Sequence, residues 1–443
     1  MSELSARLDR LPFTRFHRRL LIVGGSGYLF DAMDVAIIGF VLPMVVAQWH
    51  LSGGEAGTIA GASAIGGIFG ALLAGRLGDL FGRRSIMMWA LAVYAIASFG
   101  SALAWGFAGF LVARIVAGIG TSAESAIVAP YLAEFAPARL RGRYTGSLTG
   151  FFAFGYLAAA LLGWAVVPAS ENGWRIALAV TAAPIVLLLW WRRVLPESPR
   201  WLEQRGRLAE ADAVVTGIER QAGIAPSAPS SAPAFHAEPP RSSWFHLFGH
   251  GIVRQTLVTL LLWASIGFCY YAFMTWIPSL LAKRGFGISR SFGFTIAIYA
   301  AQAPGYFSAA WLNDRIGRRA VIAGYLGLGA VAALILAGSA SSAAIVGSSM
   351  LLSFAMNGAY AGLYTYTPEL FPTMLRATAQ GMAVAVSRIG AMVSPILVGL
   401  LYPELGFGGV FGAAVVILGV AALTALLFGG STAGRSLDQA EQG

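Results

Sequence analysis

Gly75-Arg76-Leu77-Gly78-Asp79-Leu80-Phe81-Gly82-Arg83-Arg84 is the stretch on which the fold turns, because its end returns later in the chain as Asp314-Arg315-Ile316-Gly317-Arg318-Arg319. Asp79, Gly82, Arg83 and Arg84 match Asp314, Gly317, Arg318 and Arg319, and a second set, Glu134, Pro137 and Arg141, matches Glu369, Pro372 and Arg376. Every pair is separated by the same 235 residues, as 79 is from 314. Agreement of so many positions at one offset is improbable by chance, and the chain is read as two duplicated halves.

Composition says what solvent the halves fold in. Hydrophobic residues make up 57% of the 443 residues and charged residues only 11%, whereas a soluble domain carries roughly 25% charged residues. The mean hydropathy is +0.70. Twelve apolar stretches are long enough to span a bilayer, near 20–48, 56–80, 85–106, 108–135, 144–168, 174–194, 253–282, 291–312, 320–339, 341–371, 376–402 and 407–429. Backbone groups in lipid must find partners inside their own segment, so each stretch is predicted to be a helix. The fold class expected is an all-α polytopic membrane protein with 12 transmembrane helices in two six-helix bundles, related by an axis along the membrane normal.

The bundles are placed at 1–194 and 253–429, with a linker at 195–252 and a tail at 430–443. The linker has a Pro/Ala/Ser-rich core from Ala225 to Ser243, a composition that cannot bury enough to fold alone. Arg18 and Arg19 lead into the first stretch without a small-residue cleavage pattern, so that stretch is read as a retained helix rather than a signal peptide.

Charge sets the orientation. Arg175, Lys283, Arg284 and Arg290 fall in loops on one side, and Arg114 and Arg388 fall inside spans. The rest of the 30 basic residues lie in the termini and in the loops of the other side. The positive-inside rule then puts both termini in the cytoplasm, with a bacterial inner membrane as the expected location. The net charge of +10 is spread over short loops instead of one aromatic-studded face, which argues against a nucleic-acid partner. Cys269 is the single cysteine, so no disulfide framework is possible, and none of the five histidines lies well inside a predicted span, which argues against a metal site. No phosphate loop, metal cluster or nucleophile–base pair appears, so neither an enzyme nor a cofactor is expected.

The run from Gly75 to Arg84, its echo from Asp314, and Pro196-Glu197-Ser198-Pro199-Arg200-Trp201-Leu202 after the sixth span resemble signatures of the major facilitator superfamily, the last pointing to its sugar-porter and organic-ion branches. Within these, Phe30-Asp31-Ala32-Met33-Asp34-Val35, Tyr270-Tyr271 with Thr275 through Leu281, and Pro304-Gly305-Tyr306-Phe307-Ser308-Ala309-Ala310 resemble the bacterial niacin (nicotinate) permeases, and the likeness runs over about 15–430. Two departures bear on the neighbouring branches. The seventh and tenth spans lack the paired glutamines and the Gly-Pro-Trp pattern of hexose carriers, and Ala32 stands where aromatic-acid symporters carry a glycine. The resemblance implies a secondary transporter working by alternating access on a small carboxylate, with a proton as the second passenger, membrane lipid as its surroundings and a monomer as the expected state. Another aromatic acid, a sugar or an organic cation stays open as cargo, and a non-transporting sensor as a different class.

Ionisable side chains inside a span cost at least about 2.5–3.5 kcal/mol each at mid-helix, so they tend to be paired and functional. Asp31 and Asp34 share a face of the first span, three residues apart, after Gly24, Gly25 and Gly27. Arg114 lies in Arg114-Ile115-Val116-Ala117-Gly118-Ile119-Gly120, which resembles the sugar-porter motif whose arginine partners the acid aligned with Asp34. Such a pair is either a coupling switch or a static neutralisation. Glu124 follows about 15 Å further along the same helix. A carboxyl in low dielectric holds its proton more readily, which suits proton coupling, although a structural acid reads equally well.

Arg388 stands about 18 Å in from the start of the eleventh span. Organic-anion relatives are similar in carrying a basic residue here, and a guanidinium binds a carboxylate bidentately, so Arg388 is the candidate for anion selection. Tyr270, Tyr271, Trp276, Tyr299, Tyr306, Tyr360 and Tyr364 are candidate walls for an aromatic ring, while Gln302 and Asn357 could hydrogen-bond a ring nitrogen. For the loops carrying the repeat, the expectation is a gate in which Asp79 and Asp314 pair with neighbours such as Arg141 and Arg376, with Arg83 and Arg318 holding the helix ends. Gly66-x-x-x-Gly70 is read as close helix packing.

Overall fold

A computed structural model describes residues 3–137, 141–224, 244–249, 251–283, 285–371 and 373–430, and among these the regular structure is all helical. The linker stretch 225–243 and the tail from 431 on lie outside the described residues. In chain order the helices are α1 (Glu3–Arg10), α2 (Arg15–Trp49), α3 (Gly53–Phe81), α4 (Arg83–Leu103), α5 (Phe107–Phe135), α6 (Arg141–Val166), α7 (Gly173–Thr181), α8 (Leu187–Val194), α9 (Pro199–Gln204) and α10 (Leu208–Gln221). They are followed by α11 (Val253–Lys283), α12 (Ile288–Ala300), α13 (Gln302–Ile316), α14 (Arg318–Gly338), α15 (Ser342–Leu370) and α16 (Thr373–Phe428).

Among the described residues ten segments are long and apolar enough to cross a membrane; dividing one of them and adding one interrupted helix gives twelve passes. α16 is two helices joined at Gly406, whose φ of 63° is not helical. α12 and α13 make a single pass interrupted at Ala301, where Pro304 has no N–H to offer the carbonyl of Ala300. The sixth pass is likewise α7 and α8 joined through a tight turn at Ala183–Val186 that contains Pro184.

The repeated glycines have a backbone reason. Gly82 ends α3 at φ 97° and Gly317 ends α13 at φ 86°, a region that favours glycine, and each is followed at once by a helix that opens on two arginines. A side chain at Gly82 would also run into the carboxylate of Glu197. At Gly66 and Gly70 a Cβ would collide with the backbone of α5 at Ile115 and Ile119, so the small pair lets α3 lie directly on its neighbour, as its spacing predicts. Ser52 and Glu55 start α3 with a reciprocal capping box, Ser52 N–H to Glu55 Oε2 at 2.9 Å and Glu55 N–H to Ser52 Oγ at 3.3 Å.

Contacts divide the chain into two compact units. The first holds Met1–Ile37, Ile65–Ala159 and Asn172–Glu238, and the second holds Ile38–Ala64, Ala160–Glu171 and Pro239–Gly443. Within the second unit the first half of α3 packs on α16 with almost no side chain between them, since a Cβ at Gly53, Gly57 or Gly61 would meet the backbone at Gly399, Pro395–Ile396 or Met392.

Within the first unit the residues after Leu195 do something that composition did not suggest. Ser198 caps α9 by accepting from the N–H of Trp201 at 3.2 Å, with Pro199 in the first turn. The amphipathic α1 then lies against α9 and α10, its Leu4 and Leu8 joining Trp201, Leu202, Val215 and Ile218 in one core. Arg7, buried at 4% exposure, ties α1 to α10. Its Nε and Nη2 donate to Glu219 at 3.0 and 2.7 Å, and it also reaches Asp212 at 2.5 Å and Thr216 at 3.0 Å. The hydrogen bonds to Glu219 and Asp212 hold the guanidinium proton still more tightly than usual.

Replacing Arg7 with Ala leaves Glu219 buried without its partner. The expected cost is of order 3 kcal/mol, the lower end for a buried pair broken from one side, because Asp212 is partly in water. Amide hydrogen exchange should quicken in α1 and α10 and stay unchanged in α4 and α5; equal protection of α10 in both proteins would contradict the clamp.

Candidate functional site

Two clusters, one in each unit, gather many of the residues singled out by sequence. In the first unit, three-residue spacing on α2 aims Asp31 and Asp34 at α4 and α5. Asp34 and Arg114 are both fully buried, and they meet in a bidentate pair, with Arg114 Nη1 donating to Asp34 Oδ1 at 2.9 Å and Nη2 to Oδ2. Ser98 Oγ on α4 adds a third donor at 2.9 Å, and Thr181 Oγ1 at the end of α7 stands 3.4 Å away. Tyr94 braces the surroundings by donating to the carbonyl of Thr181 at 2.6 Å.

Asp31, one turn closer to the start of α2, is 5% exposed and accepts from Ser125 Oγ on α5. Glu124, the neighbour of Ser125, is 2% exposed, and its Oε1 has no hydrogen-bond partner. That oxygen lies against the backbone of α2 at Gly27, where a side chain would overlap it. Gly27 and Asp31 are four residues apart and so stand on one face of α2.

In the second unit, α11, α15 and α16 build an aromatic wall. Tyr270 packs edge-on against Tyr271 and against Tyr360, both with centroids 5.3 Å apart. Tyr360 stacks on Tyr364 at 6.3 Å and shares a 3.0 Å hydrogen bond with Ser387. Trp263 backs both Tyr360 and Tyr364, and it is fixed by donating from Nε1 to Thr367 Oγ1 at 2.9 Å. Arg388, half-buried, follows Ser387 on α16 and is near enough to Tyr364 to act on it electrostatically. Tyr270, Tyr360 and Trp263 are buried, whereas Tyr271, Tyr364 and Arg388 keep accessible surface, so the wall has a backing layer and an open layer. Tyr306 stands close to Tyr360 and Tyr364.

The other aromatic and amide candidates each have a hydrogen-bond partner within the protein. Tyr299 is buried against Phe40 and donates to the carbonyl of Met274 at 2.9 Å. Trp276 donates to the carbonyl of Pro395 at 3.1 Å. Gln302 Nε2 is 3.6 Å from the sulfur of Met274, and Asn357 donates to the carbonyl of Ser353 in its own helix at 2.8 Å.

The repeat motifs form matching structures in both units. Arg83 pairs with Glu134 at 3.4 Å, and Arg318 pairs with Glu369 at 3.1 Å. Arg84 donates to the carbonyl of Arg192 at the end of α8, and Arg319 to that of Leu426 at the end of α16, so each satisfies a helix C-terminus. Glu134 and Glu369 were visible as members of the repeat but not as the partners of these arginines. The side chains of Asp79, Arg141, Asp314 and Arg376 lie outside the described part of the structure. His17 in the first turn of α2 is fully buried and structural, with Nδ1 accepting from Thr14 and Nε2 donating to Phe135 O at 3.1 Å. No group of three metal-ligating side chains occurs among the described residues.

Comparison with known proteins fits this architecture. The family model described as sugar (and other) transporter matches residues 21–443. The niacin transporter NiaP of Acinetobacter baylyi is 36% identical over 98% of this chain and 99% of its own length. A gallate transporter of Pseudomonas putida is 29% identical over 93% of this chain and 88% of its own length. Among solved structures, the xylose transporter XylE of Escherichia coli superposes with a TM-score of 0.77 at 21% identity, covering 96% of this chain and 99% of that one, which shows a shared fold. Twelve passes in two repeated six-helix halves, with the same glycine–arginine turn in each, are thus the major facilitator architecture, and the chain is a multi-pass membrane protein that belongs to the sugar (and other) transporter family.

Proposed function

We propose that this transporter imports a small aromatic monocarboxylate, nicotinate above all, by alternating access and together with a proton. The observation that carries the reading is the open layer of the α11–α15–α16 wall, where a guanidinium adjoins tyrosine rings. A flat acid offers two things to such a surface, a π face for Tyr271 and Tyr364 and a carboxylate for Arg388. A neutral sugar uses neither to advantage, and an organic cation would be repelled by Arg388. The names of two relatives, a niacin transporter and a gallate transporter, support an aromatic acid as cargo.

The proton half of the reading is supported by the buried acids of the first unit. Asp31, Asp34 and Glu124 bring three carboxyls together with one arginine, Arg114, among the membrane-embedded residues of that cluster. An excess of acid over base away from water is a place where protons bind and leave. The ion pairs of Arg83 and Arg318 are proposed as closures at the arginine-rich ends of the helices, which the positive-inside rule assigns to the cytoplasm. Asp79, Arg141, Asp314 and Arg376 are proposed members of the same closures, and the protein is proposed to act as a monomer.

Labelled nicotinate offered to proteoliposomes should equilibrate without a pH gradient and accumulate above equilibrium when the outside is made acidic. Equal final levels in both conditions would remove the proton from the mechanism. Arg388→Ala should reduce carboxylate uptake by roughly two orders of magnitude, the loss of a charge-assisted bidentate contact of about 3 kcal/mol, while a neutral ring analogue is transported no worse. An equal loss for both would make Arg388 a packing residue instead of the anion selector.

A further inference from the structure

The three buried acids of the first unit are not equivalent, and their surroundings divide the labour among them. Asp34 is held by both arms of Arg114 and by Ser98, so its charge is matched by a cation and its oxygens by donors. Protonating it would strand Arg114, which is fully buried, without its counter-charge. Asp31 has a hydroxyl donor in Ser125. Glu124 has an oxygen that is out of water and receives no hydrogen bond, and the charged group that acts on it is another carboxylate, Asp31. From α4 the hydroxyl of Tyr94 is within electrostatic reach of it, and from α8 the aromatic ring of Trp191 lies beside Gly27.

Two buried carboxylates that act on each other electrostatically cannot comfortably both be ionised, and one proton relieves them. It belongs on the acid with no donor to lose, which is Glu124, while the Ser125 hydrogen bond keeps Asp31 suited to remain an anion. Gly27 makes the arrangement possible. Any side chain there would occupy the space of Glu124 Oε1 and push the carboxyl away from the face of α2 that carries Asp31.

We propose that Glu124 is the group that carries the co-transported proton, that Asp31 is the fixed anion beside it, and that Gly27 is a positioning residue that seats the Glu124 carboxyl. In the transport step the carboxylate of Glu124 takes a proton from water on the side where it loads and returns it to water on the other. No other bond is made or broken, and the Asp34–Arg114 pair stays intact. The proposal rests on the reading of the chain as a proton symporter, and the test separates the two.

Reconstituted wild type and Glu124→Gln are compared in exchange of labelled nicotinate at equal pH and in accumulation driven by a proton gradient. With one proton per substrate, wild type should concentrate nicotinate about tenfold for each pH unit imposed. The Gln variant should exchange at any pH but stop at the equilibrated level. Accumulation by the variant overturns the assignment, as does loss of exchange in a variant that still runs as folded protein on size exclusion. Infrared difference spectra of the substrate-free protein form the second arm. A protonated carboxyl band should be present in wild type and missing in Glu124→Gln, and in Gly27→Ala it should persist but titrate at a different pH. A band that survives in Glu124→Gln overturns the carrier role, and an unmoved titration in Gly27→Ala overturns the positioning role. Wild type that exchanges no nicotinate would count against the substrate reading alone, because the infrared arm decides the carboxyl without any substrate.

Discussion

Arg114 and Asp34 meet where neither touches solvent, and much of the first unit is arranged around keeping them together. A buried guanidinium tolerates its position only if a carboxylate faces it in the right plane. That requirement fixes the rotation of α2 against α5, and it recruits Ser98 from α4 and the end of α7 as further walls. Once α2 is held at this angle, Asp31 and Gly27 necessarily look the same way, toward Ser125 and Glu124.

The second unit shows the opposite economy. Its counterpart cluster uses one guanidinium, Arg388, with hydroxyls and rings, and its rigidity comes from aromatic stacking and from hydrogen bonds to side chains such as Thr367 and Ser387. The helix ends of the two halves therefore match where the clusters between them do not. Arg83 with Glu134 and Arg318 with Glu369 remain equivalent, as do Arg84 and Arg319, each on a helix C-terminus. Mid-span, the first unit's cluster is built on acids and the second unit's on tyrosine rings.

The number and placement of the spans were legible in sequence because hydrocarbon imposes length and apolarity on every pass, a constraint that leaves its mark residue by residue. Asp34 and Arg114 were legible for the same reason, since charges in a span announce themselves, but their pairing was legible only through likeness to the sugar-porter motif. The gathering of Tyr270, Tyr271, Tyr360 and Arg388 was partly legible, through likeness to a family and not through spacing. Tyr299 and Trp276 could not be told from these by residue type. An aromatic ring that donates to a backbone carbonyl and one that faces open space look alike in sequence, and only the geometry of Met274 O and Pro395 O distinguishes them. The docking of α1 on α9 and α10 was missed because these helices are short, and it joins segments some two hundred residues apart to the core of the first unit.

That separation has a consequence for how the chain is made. Arg7 leaves the ribosome 212 residues before Glu219, its main partner. At about 5–20 residues per second, that is a wait of roughly 10–40 seconds. During it, six membrane passes are threaded while α1 has nowhere to dock. The clamp can close only after the whole first half has been synthesised, so it completes the folding of that half instead of initiating it.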